Sequence, residues 1–582
     1  MGDALGTWLE RASRRTDRGI RLLDRREGER FLSWPELVAR AEEVAGGLAA
    51  LGVGPGDRVA LAYPTGEGFL VALLGALRAG AAPAPLPPPS RLGNLGEQQR
   101  RLAAMLVAAE PRLVLADPAL VPLLREPLAA APPPLGCREL ASLPQAAAVA
   151  SGVDDDALGL VQFSSGTTAA PKPVALSRRA LAVQGRLLNS LWPDKPEGPD
   201  KPEGPDRPEG PDTAGVVQRG FSWLPLHHDM GLIGCVLPAL ERPADLTLLP
   251  PEAFVARPAL WLRGISRAGA TVSPAPNFAY ARALRRVRDE ELDGVDLSCW
   301  THALCGAEAV APATLTAFAR RFARWGFRAE SLAPVYGLAE AGLAVTFARL
   351  GAEFTARRFD RRALLAGEAR ERAGGRELAG VGFPLAGFAL AIRDDLGRDL
   401  PPSTVGTVWV RGPSLMDGYL GDPAASARVL RDGWLDTGDL GFLDARGELY
   451  LVGRSKDVVI VRGRNHAPEE IEEAVSAVAG VRPGGVAAVG WLPDDGEEEE
   501  LLLLVERSRG EGSDGTAALV AACREAVLAA VGVAPARVAL LEPGALPRTS
   551  SGKLRRGEAL RRWLAGELPV TAGAAPAPPE GD

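Results

Sequence analysis

The sequence predicts an α/β protein that has a large N-terminal domain with mostly parallel sheets and a small C-terminal α+β domain. Three observations support this prediction. The chain has 582 residues, which is more than one hydrophobic core usually serves. Strand-like and helix-like apolar segments alternate through the first half, as in proteins with parallel sheets. Short strand-like segments dominate the last third, which indicates a second domain.

Composition and charge argue against several classes of function. Hydrophobic residues make up 46% of the chain and charged residues 24%, as in ordinary globular proteins. The formal net charge of −7 argues against nucleic-acid binding. The five cysteines are scattered and lack metal-ligand spacing, which favours a reducing, cytoplasmic location. We expect no signal peptide and no transmembrane segment, because the longest uncharged apolar run, FLVALLGAL from Phe69, is too short to span a bilayer.

The N-terminal half predicts helices and strands in alternation. The stretch LSWPELVARAEEVAGGLAALGVGPGDRVALAY predicts an amphipathic helix that ends near Gly52, a turn, and a buried strand at Val59–Tyr63. A further helix follows in FLVALLGALRAG, and PRLVLADPALVPLLR repeats the order of strand and helix.

The stretch FSSGTTAAPKPVALS, residues 163–177, has the composition of a loop that holds phosphate groups. It offers hydroxyls, a glycine and a cation to phosphate oxygens, namely Ser164, Ser165, Gly166, Thr167, Thr168 and Lys172. It is not a Walker loop, because Lys172 is neither preceded by glycine nor followed by Ser or Thr. Ala169 and Pro173 stand where such loops usually carry glycine, so we expect a stiffer loop that still binds phosphate.

The stretch PDKPEGPDKPEGPDRPEGPD, residues 193–212, consists of hexapeptide repeats of proline, glycine and charged residues. Such a segment cannot build a core, and we expect a solvated, disordered loop. A partner-binding arm is the less favoured alternative.

The stretch FSWLPLHHDMGLIGCVLPAL joins an apolar strand to the cluster His227, His228 and Asp229, and then to an apolar helix. A metal site would need further ligands, but the chain has only four histidines and no suitable cysteine pair. The cluster is either a polar strand end that lines a cleft or a structural cap, and this stretch alone favours the cap.

The C-terminal third changes character at GWLDTGDLGFLDARGELYLVGRSKDVVIVRGRNHAPEEIEEAV. Asp439 lies in a tight Thr-Gly-Asp turn. The segments ELYLV and VVIV predict strands on either side of a charged GRSKD turn, where we place a domain boundary. Pro468 begins a helix with acidic residues in its first turn. Further on, LPRTSSGKLRRGEALRRWL predicts a polar loop that presents Lys553 before a basic helix.

Four of these stretches resemble one family. The motifs SSGTTAAPKPVALS, YGLAEAGLAV, DTGDLGFLDARGELYLVGRSKD and LPRTSSGKLRR occur in the order and approximate spacing of the adenylate-forming, acyl-activating enzymes. Each motif alone is weak, but four in order over roughly 400 residues are hard to reach by chance. Within that superfamily the chain resembles the fatty acyl-AMP ligase branch, through LPLHHDMGLIG, APLPPPS, VVIVRGRNHAPEEIE and Ala339 in YGLAEA, where most relatives have Thr.

The resemblance implies a role for each candidate residue. It implies that Lys553, Glu340 and His228 are catalytic, that Glu340 holds Mg²⁺, and that Lys456 is the hinge. It implies an acyl pocket at His228, Asp229, Met230 and Gly231. It also implies that ATP or AMP is bound by the phosphate loop, with Ser164, Ser165, Gly166, Thr167, Thr168 and Lys172, and by Gly306, Ala307, Tyr336, Gly337, Asp439 and Arg454, of which Asp439 would contact the ribose.

The chemistry of acid activation is consistent with these roles. Attack of a carboxylate on the α-phosphate of ATP brings two anions together, so the site must neutralise charge. The flexible ammonium of Lys553 can reach both groups. One carboxylate such as Glu340 is enough for Mg²⁺, which keeps water and substrate phosphates as ligands. The alternatives are a surface lysine in a basic tail and a glutamate at a helix start.

The resemblance also implies the domain organisation and the function. Residues 1–453 would form the adenylate-forming domain, 454–570 a C-terminal lid and 571–582 a disordered tail. Residues 350–380 would be a branch-specific insertion, with an ordinary surface excursion as the alternative. The expected reaction converts a fatty acid and MgATP to acyl-AMP and pyrophosphate and then transfers the acyl group to a holo acyl carrier protein. A fatty acyl-CoA synthetase and a non-catalytic acyl-adenylate or nucleotide binder are the alternatives.

Overall fold

The computed structural model describes residues 3–89, 95–147, 152–164, 171–192, 218–454, 459–461, 464–491, 500–508, 516–549 and 552–573. The strands are β1 (Gly19–Leu23), β2 (Glu29–Ser33), β3 (Arg58–Ala62), β4 (Ala82–Pro85), β5 (Leu113–Ala116), β6 (Cys137–Arg138), β7 (Leu158–Phe163), β8 (Pro173–Ser177), β9 (Arg219–Ser222), β10 (Asp245–Leu248), β11 (Val272–Ala275), β12 (His302–Cys305), β13 (Leu332–Leu338), β14 (Leu343–Phe347), β15 (Ala356–Phe359), β16 (Arg376–Ala379), β17 (Phe383–Pro384), β18 (Ala389–Arg393), β19 (Gly406–Arg411), β20 (Gly418–Tyr419), β21 (Leu430–Arg431), β22 (Trp434–Leu443), β23 (Leu449–Arg454), β24 (Val459–Val461), β25 (Arg464–His466), β26 (Val481–Trp491), β27 (Glu500–Arg507), β28 (Arg537–Leu541) and β29 (Val570–Gly573).

The helices are α1 (Ala4–Ala12), α2 (Trp34–Ala50), α3 (Glu67–Arg78), α4 (Leu95–Ala109), α5 (Arg125–Ala130), α6 (Arg178–Ser190), α7 (Asp229–Gly231), α8 (Leu237–Glu241), α9 (Pro251–Ala256), α10 (Ala259–Ala268), α11 (Asn277–Arg286), α12 (Pro312–Phe322), α13 (Arg361–Leu365), α14 (Pro423–Val429), α15 (Pro468–Ser476), α16 (Thr516–Val531) and α17 (Arg556–Leu564).

The largest sheet has nine strands in the order β17-β14-β13-β12-β11-β9-β10-β1-β2. Its central strands, from β13 to β1, pair in parallel, and antiparallel strands close both edges. A second, parallel sheet has the order β4-β3-β5-β6. The predicted α/β fold with mostly parallel sheets is therefore confirmed. In such sheets ligands bind outside the carboxyl ends of the strands.

Helix α2 shows how local sequence determines these elements. Ser33 caps its N-terminus by accepting a hydrogen bond from the Glu36 amide at 3.3 Å, and Pro35 occupies the first turn. The helix ends at Ala50, followed by Gly52 at φ +73°, a conformation that favours glycine after a helix. Strand β3 begins and ends one residue earlier than the sequence predicts.

The C-terminal part builds its own four-stranded sheet, β26-β27-β28-β29, with helices on both faces. Because side chains of a strand alternate between faces, Leu501 and Leu503 of β27 pack in a core with α15 and α16, whereas Leu502 and Leu504 pack with Trp563 of α17. This arrangement confirms the small C-terminal α+β domain. The domain boundary after residue 453 stays a prediction.

Residues 350–380 contain an antiparallel pair of strands, β15 and β16, with the short helix α13 between them. The ring of Phe359 packs against Phe442 and Tyr450, with ring centres 5.1 Å and 5.6 Å apart. Arg361 forms an ion pair with Glu470 of α15. The segment therefore contacts both the sheet of β22 and β23 and the C-terminal domain. That it is specific to one branch of the family stays a prediction.

Two predicted disordered segments lie wholly or partly outside the described residues. The repeat at 193–212 lies wholly outside them. The tail was placed at 571–582, but Val570–Gly573 forms β29 and pairs with β28, so the predicted start of the tail was too early. Across the ranges given above, every helix is too short or too polar to cross a membrane.

Candidate active site

A cleft of about 950 Å³ lies at the carboxyl ends of the parallel strands, where the loop that precedes α17 reaches the large sheet. The cleft is lined by twelve of the residues that the sequence singled out, namely Ser164, Lys172, His228, Asp229, Met230, Ala307, Tyr336, Gly337, Glu340, Asp439, Arg454 and Lys553. Residues far apart in the chain thus meet in one place. Ser165, Gly166, Thr167, Thr168 and Lys456 lie outside the described residues.

Two predicted glycines have packing roles. Gly306 does not line the cleft, and a Cβ atom there would lie 2.7 Å from Cγ2 and 2.9 Å from the carbonyl oxygen of Val335. Gly231 also lies outside the lining, against the carbonyl oxygen of Pro225. A side chain at Gly306 would therefore collide with Val335, and the assignment of Gly306 to nucleotide binding stays a prediction.

Asp439 is fixed by one partner on the adjacent strand and one from the large sheet. It stands opposite Arg454 in the register of β22 and β23, and its carboxylate accepts hydrogen bonds from Arg454 Nε and from the Tyr336 hydroxyl, each at 2.7 Å. Its own amide donates to Thr437 Oγ1 at 3.1 Å. Burial, and then the charge of Asp439, raise the pKa of Tyr336, so the hydroxyl stays a donor. The carboxylate is therefore held in one orientation at the cleft.

Glu340 lies in the 3₁₀ turn Ala339–Ala341 that follows β13. Its Oε1 accepts a hydrogen bond from the Tyr419 hydroxyl at 3.0 Å, and the Lys172 ammonium lies 4.4 Å from the centre of the Tyr419 ring. Burial raises the pKa of the Glu340 carboxyl, and the nearby Asp229 adds to the shift. A buried carboxylate that lacks full charge compensation fits Mg²⁺, which binds one or two carboxylates together with substrate phosphates.

The described part of the chain holds no group of three or more His, Cys, Asp and Glu side chains that could bind a metal ion. A metal site at His227, His228 and Asp229 would therefore lack further ligands within these residues. A single carboxylate such as Glu340 can hold a metal ion in the cleft when substrate oxygens and water complete its coordination.

His228 and Asp229 form a close pair at the N-terminus of α7. His228 Nδ1 lies 2.6 Å from Asp229 Oδ1, and the buried His228 Nε2 has no hydrogen-bond partner among the described residues. Burial alone would raise the pKa of Asp229, but His228 and Lys553 hold it below its ordinary value. Asp229 also accepts a hydrogen bond from the Met230 amide at 2.7 Å. The pair therefore lines the cleft and fixes the start of the helix.

Burial lowers the pKa of the neighbouring His227 to about 3, so that ring is neutral.

Lys553 reaches the cleft from the loop between β28 and α17. The ends of this loop are joined by hydrogen bonds from the Thr549 amide to the Lys553 carbonyl at 2.8 Å and from the Lys553 amide to Thr549 Oγ1 at 2.9 Å. Gly552 adopts φ +85° and lies against Phe278, whose ring would be 3.2 Å from an added Cβ atom. The loop is thus closed on itself and seated on α11.

The Lys553 ammonium is buried among charges of both signs. Burial lowers its pKa and Arg454 lowers it further, whereas Asp229, Glu308 and Asp439 oppose the shift. Burial raises the pKa of Glu308. A cation at this place can contact two anionic groups that meet in the cleft.

The apolar part of the cleft runs along the large sheet toward the amino ends of its strands. Its lining reaches Gln218, just before β9, and the first residues of β10 and β11, Asp245 and Val272. The walls between are mainly hydrophobic and include Leu188, Trp192, Phe221, Met230, Leu246, Leu304 and Phe347. A cavity of this form accepts a long apolar chain whose polar head lies near His228 and Lys553.

One wall of this apolar part contains a π-helical turn, Leu232–Val236, between α7 and α8. Such turns are frequent at functional sites. The turn places Gly234 and Cys235 in the lining, and a Cβ atom on Gly234 would lie 2.9 Å from Leu343. Burial raises the pKa of the Cys235 thiol to about 12.

Comparison with known proteins identifies the family. The family of AMP-binding enzymes matches residues 9–420. The chain belongs to the AMP-binding enzyme family. A Caulobacter vibrioides protein, provisionally named an acyl-CoA synthetase, is 35% identical over 94% of this chain and 93% of its own length. Long-chain-fatty-acid–AMP ligase FadD23 of Mycobacterium tuberculosis is 32% identical over 92% of this chain and 91% of its own.

A solved structure from a study of the fatty acyl-adenylate ligases of E. coli and L. pneumophila has a TM-score of 0.86 and 32% identity to this AMP-binding enzyme, with 97% of this chain and 98% of the other covered. The resemblance inferred from the four motifs is therefore confirmed, as is the expectation of an acid-activating enzyme rather than a non-catalytic binder.

Sequence reasoning missed three residues of the site in this AMP-binding enzyme. Tyr419 connects Lys172 to Glu340, Glu308 lies beside Lys553, and Phe278 supports Gly552. Glu308 follows Ala307, whose φ of +68° is unusual for a residue other than glycine, but the sequence does not show that conformation. The other two are brought in by contacts distant in the chain.

Proposed function

We propose that this enzyme activates a long-chain fatty acid with ATP, forming acyl-AMP and pyrophosphate, and then transfers the acyl group to a holo acyl carrier protein. The observation that carries the proposal is the position of Lys553. Its ammonium lies where the polar part of the cleft, with Asp439 and Glu340, meets the long apolar part. A fatty carboxylate at that junction is within reach of an α-phosphate bound beside Asp439.

In the proposed first step, an oxygen of the carboxylate attacks the α-phosphorus, and the bond from that phosphorus to the β-phosphate oxygen breaks, releasing pyrophosphate. Lys553 neutralises the carboxylate and the α-phosphate as they approach. The unpartnered His228 Nε2 is suited to orient the carboxylate, because Asp229 fixes the other ring nitrogen. Asp439 accepts hydrogen bonds from the ribose hydroxyls, and Arg454 adds positive charge. Bound Mg²⁺, held by Glu340, would supply charge neutralisation on the phosphates.

The proposed second step uses the same cleft after the C-terminal domain rotates about the segment that contains Lys456. The acceptor thiol displaces AMP from the acyl carbon, which yields a thioester. Relatives named long-chain-fatty-acid–AMP ligases and the packed segment at 350–380 support a carrier protein as the acceptor. The alternative, transfer to coenzyme A, is supported by the name of the Caulobacter vibrioides relative.

The test is mass spectrometry of reactions that contain MgATP, saturated acids from acetate to stearate, and either coenzyme A or a holo carrier protein. We expect acyl-AMP and pyrophosphate with the longer acids, acyl transfer to the carrier protein and negligible acyl-CoA. Acyl-CoA formed at a rate comparable to adenylation would refute the ligase assignment in favour of a synthetase. The absence of pyrophosphate release with every acid would refute both.

A further inference from the structure

A second cavity, of about 590 Å³, lies between α4 and α17 and is separate from the cleft. Its charged lining residues are Glu97, Arg100, Arg101, Arg555, Glu558, Arg561, Arg562 and Glu567. Among the lining residues that the structure describes, five arginines face three glutamates, which leaves an excess of two positive charges. A cleft with such a surplus attracts anions.

The glutamates already compensate the three arginines of the C-terminal domain. Arg555 and Arg562 both form ion pairs with Glu97 of α4, the first at 3.2 Å. Arg561 pairs with Glu567 at 2.9 Å. The two pairs with Glu97 hold the C-terminal domain against α4, whereas the pair of Arg561 with Glu567 stays within that domain.

The surplus charge lies on α4. Neither Arg100 nor Arg101 forms an ion pair with any residue in the described ranges, and Arg101 Nε is buried there without a hydrogen-bond partner. Burial, and then the charge of Arg555, lower the pKa of Arg101, so its positive charge is crowded. A buried donor without a partner is costly, and a ligand that accepts its hydrogen bond recovers that cost.

We propose that this cavity binds a phosphate group, either as free inorganic phosphate or as the phosphomonoester end of a larger molecule. The planar guanidinium groups of Arg100 and Arg101 match phosphate oxygens, and charge-assisted hydrogen bonds of this kind are strong. A phosphate dianion would balance the two excess charges. The cavity is larger than a phosphate ion, so a group attached to the phosphate has room. The proposal does not rest on the proposed catalytic function.

Binding at this place would couple to the position of the C-terminal domain. One wall of the cavity belongs to α4 and the other to α17, so the complete site exists only while the two helices are docked. A ligand that binds only one arrangement shifts the population toward it. Bound phosphate therefore favours the arrangement in which Lys553 lies in the cleft.

The test is isothermal titration calorimetry of the full-length protein with inorganic phosphate and, separately, with 4′-phosphopantetheine, at constant ionic strength. The double variant Arg100→Gln with Arg101→Gln is expected to bind about tenfold more weakly or worse, because charge-assisted hydrogen bonds are lost. Arg125→Gln, on the exposed helix α5, is the matched control and should bind as the wild type does. Equal affinity for both probes indicates a site for free phosphate, and tighter binding of 4′-phosphopantetheine a site for a carried phosphate.

A second variant tests the proposal independently, in case the double arginine variant does not fold. Glu567→Gln removes a negative charge from the exposed edge of the cavity, so phosphate should bind more tightly than in the wild type. Hydrogen exchange at α17 should slow on adding phosphate to the wild type and not in the double arginine variant. Unchanged phosphate affinity in both the double variant and Glu567→Gln, or no saturable binding to the wild type, would overturn the proposal.

Discussion

The two walls of the cleft hold their functional groups by different means. On the N-terminal wall, Asp439 is fixed by Arg454 on the adjacent strand and by Tyr336 of the large sheet, at 2.7 Å each. On the C-terminal wall, Lys553 comes from a loop whose position depends on Gly552 against Phe278 and on the ion pairs of α17 with α4. The N-terminal wall is organised by contacts between two packed sheets, whereas the C-terminal wall is organised only when two domains are docked. A cleft that serves two successive reactions can keep the first wall constant and exchange the second.

The largest expected effect tests the C-terminal wall. Lys553→Ala should reduce acyl-AMP formation by about 10²- to 10³-fold or more, because a preorganised charge at the developing transition state is lost. The rate of pyrophosphate release with a long-chain acid measures this. The thermal unfolding midpoint should match the wild type, since the hydrogen bonds that close the loop use the backbone of Lys553 and are kept in the variant. Adenylation near the wild-type rate would refute the assigned role.

The next effect tests the N-terminal wall. Asp439→Asn should raise the KM for ATP by about 10- to 100-fold, because hydrogen bonds to a charged acceptor are lost. Asp432→Asn, in the exposed turn before β22, is the matched control, since asparagine tolerates its positive φ. Steady-state kinetics at varied ATP would show the difference. Equal KM values in both variants would mean that Asp439 does not contact the nucleotide.

The dependence of activity on pH tests the C-terminal wall separately from the N-terminal wall. Burial lowers the pKa of Lys553 from 10.5, and activity needs the ammonium, so adenylation should fall as the pH rises through a value below 10.5. In Lys553→Arg the side chain keeps its charge over this range, so its slower reaction should lose this alkaline decline. The pH profile of kcat/KM for pyrophosphate release measures both. If the wild type and Lys553→Arg lose activity over the same alkaline pH range, the group that titrates there is not Lys553.

The smallest effect concerns the contact between α13 and α15. Arg361→Gln removes the ion pair with Glu470, which holds the segment at 350–380 to the C-terminal domain. Because exposed ion pairs contribute little, acyl-CoA formation should rise by no more than a few-fold. Arg362→Gln, on the same exposed helix, should leave product ratios unchanged. A product analysis that finds the same ratio in both variants would show that this pair does not restrain the domain.

Much of the site could be predicted because its residues lie in short motifs at strand ends. Glu340 follows β13 and Lys553 lies in the loop before α17, whereas Asp439 lies within β22 and not in the tight turn that the sequence predicts; all three line the cleft. Tyr419 could not be predicted, because it reaches Lys172 only through the pairing of β20 with β8, where Tyr419 stands opposite Val174. Pairing between distant strands leaves no local signal.

The limits of prediction have a similar cause. Nothing in the sequence around Gly306 shows that Val335 of the neighbouring strand β13 fills the place of its missing side chain. The start of the tail was placed too early because the short segment of β29 is recognisable only beside β28. Close approach between strands is a property of the assembled sheet and not of either segment.

The thiol of Cys235 is a possible nucleophile in the cleft, and its burial determines whether it reacts. Acyl-AMP is a mixed anhydride, and the thiolate is the form of cysteine that an anhydride would acylate. Cys235 lines the apolar part of the cleft, but its pKa of about 12 keeps it protonated at neutral pH. Cys235 therefore remains a thiol at neutral pH, which is not the nucleophilic form, although it lines the cleft in which acyl-AMP would form.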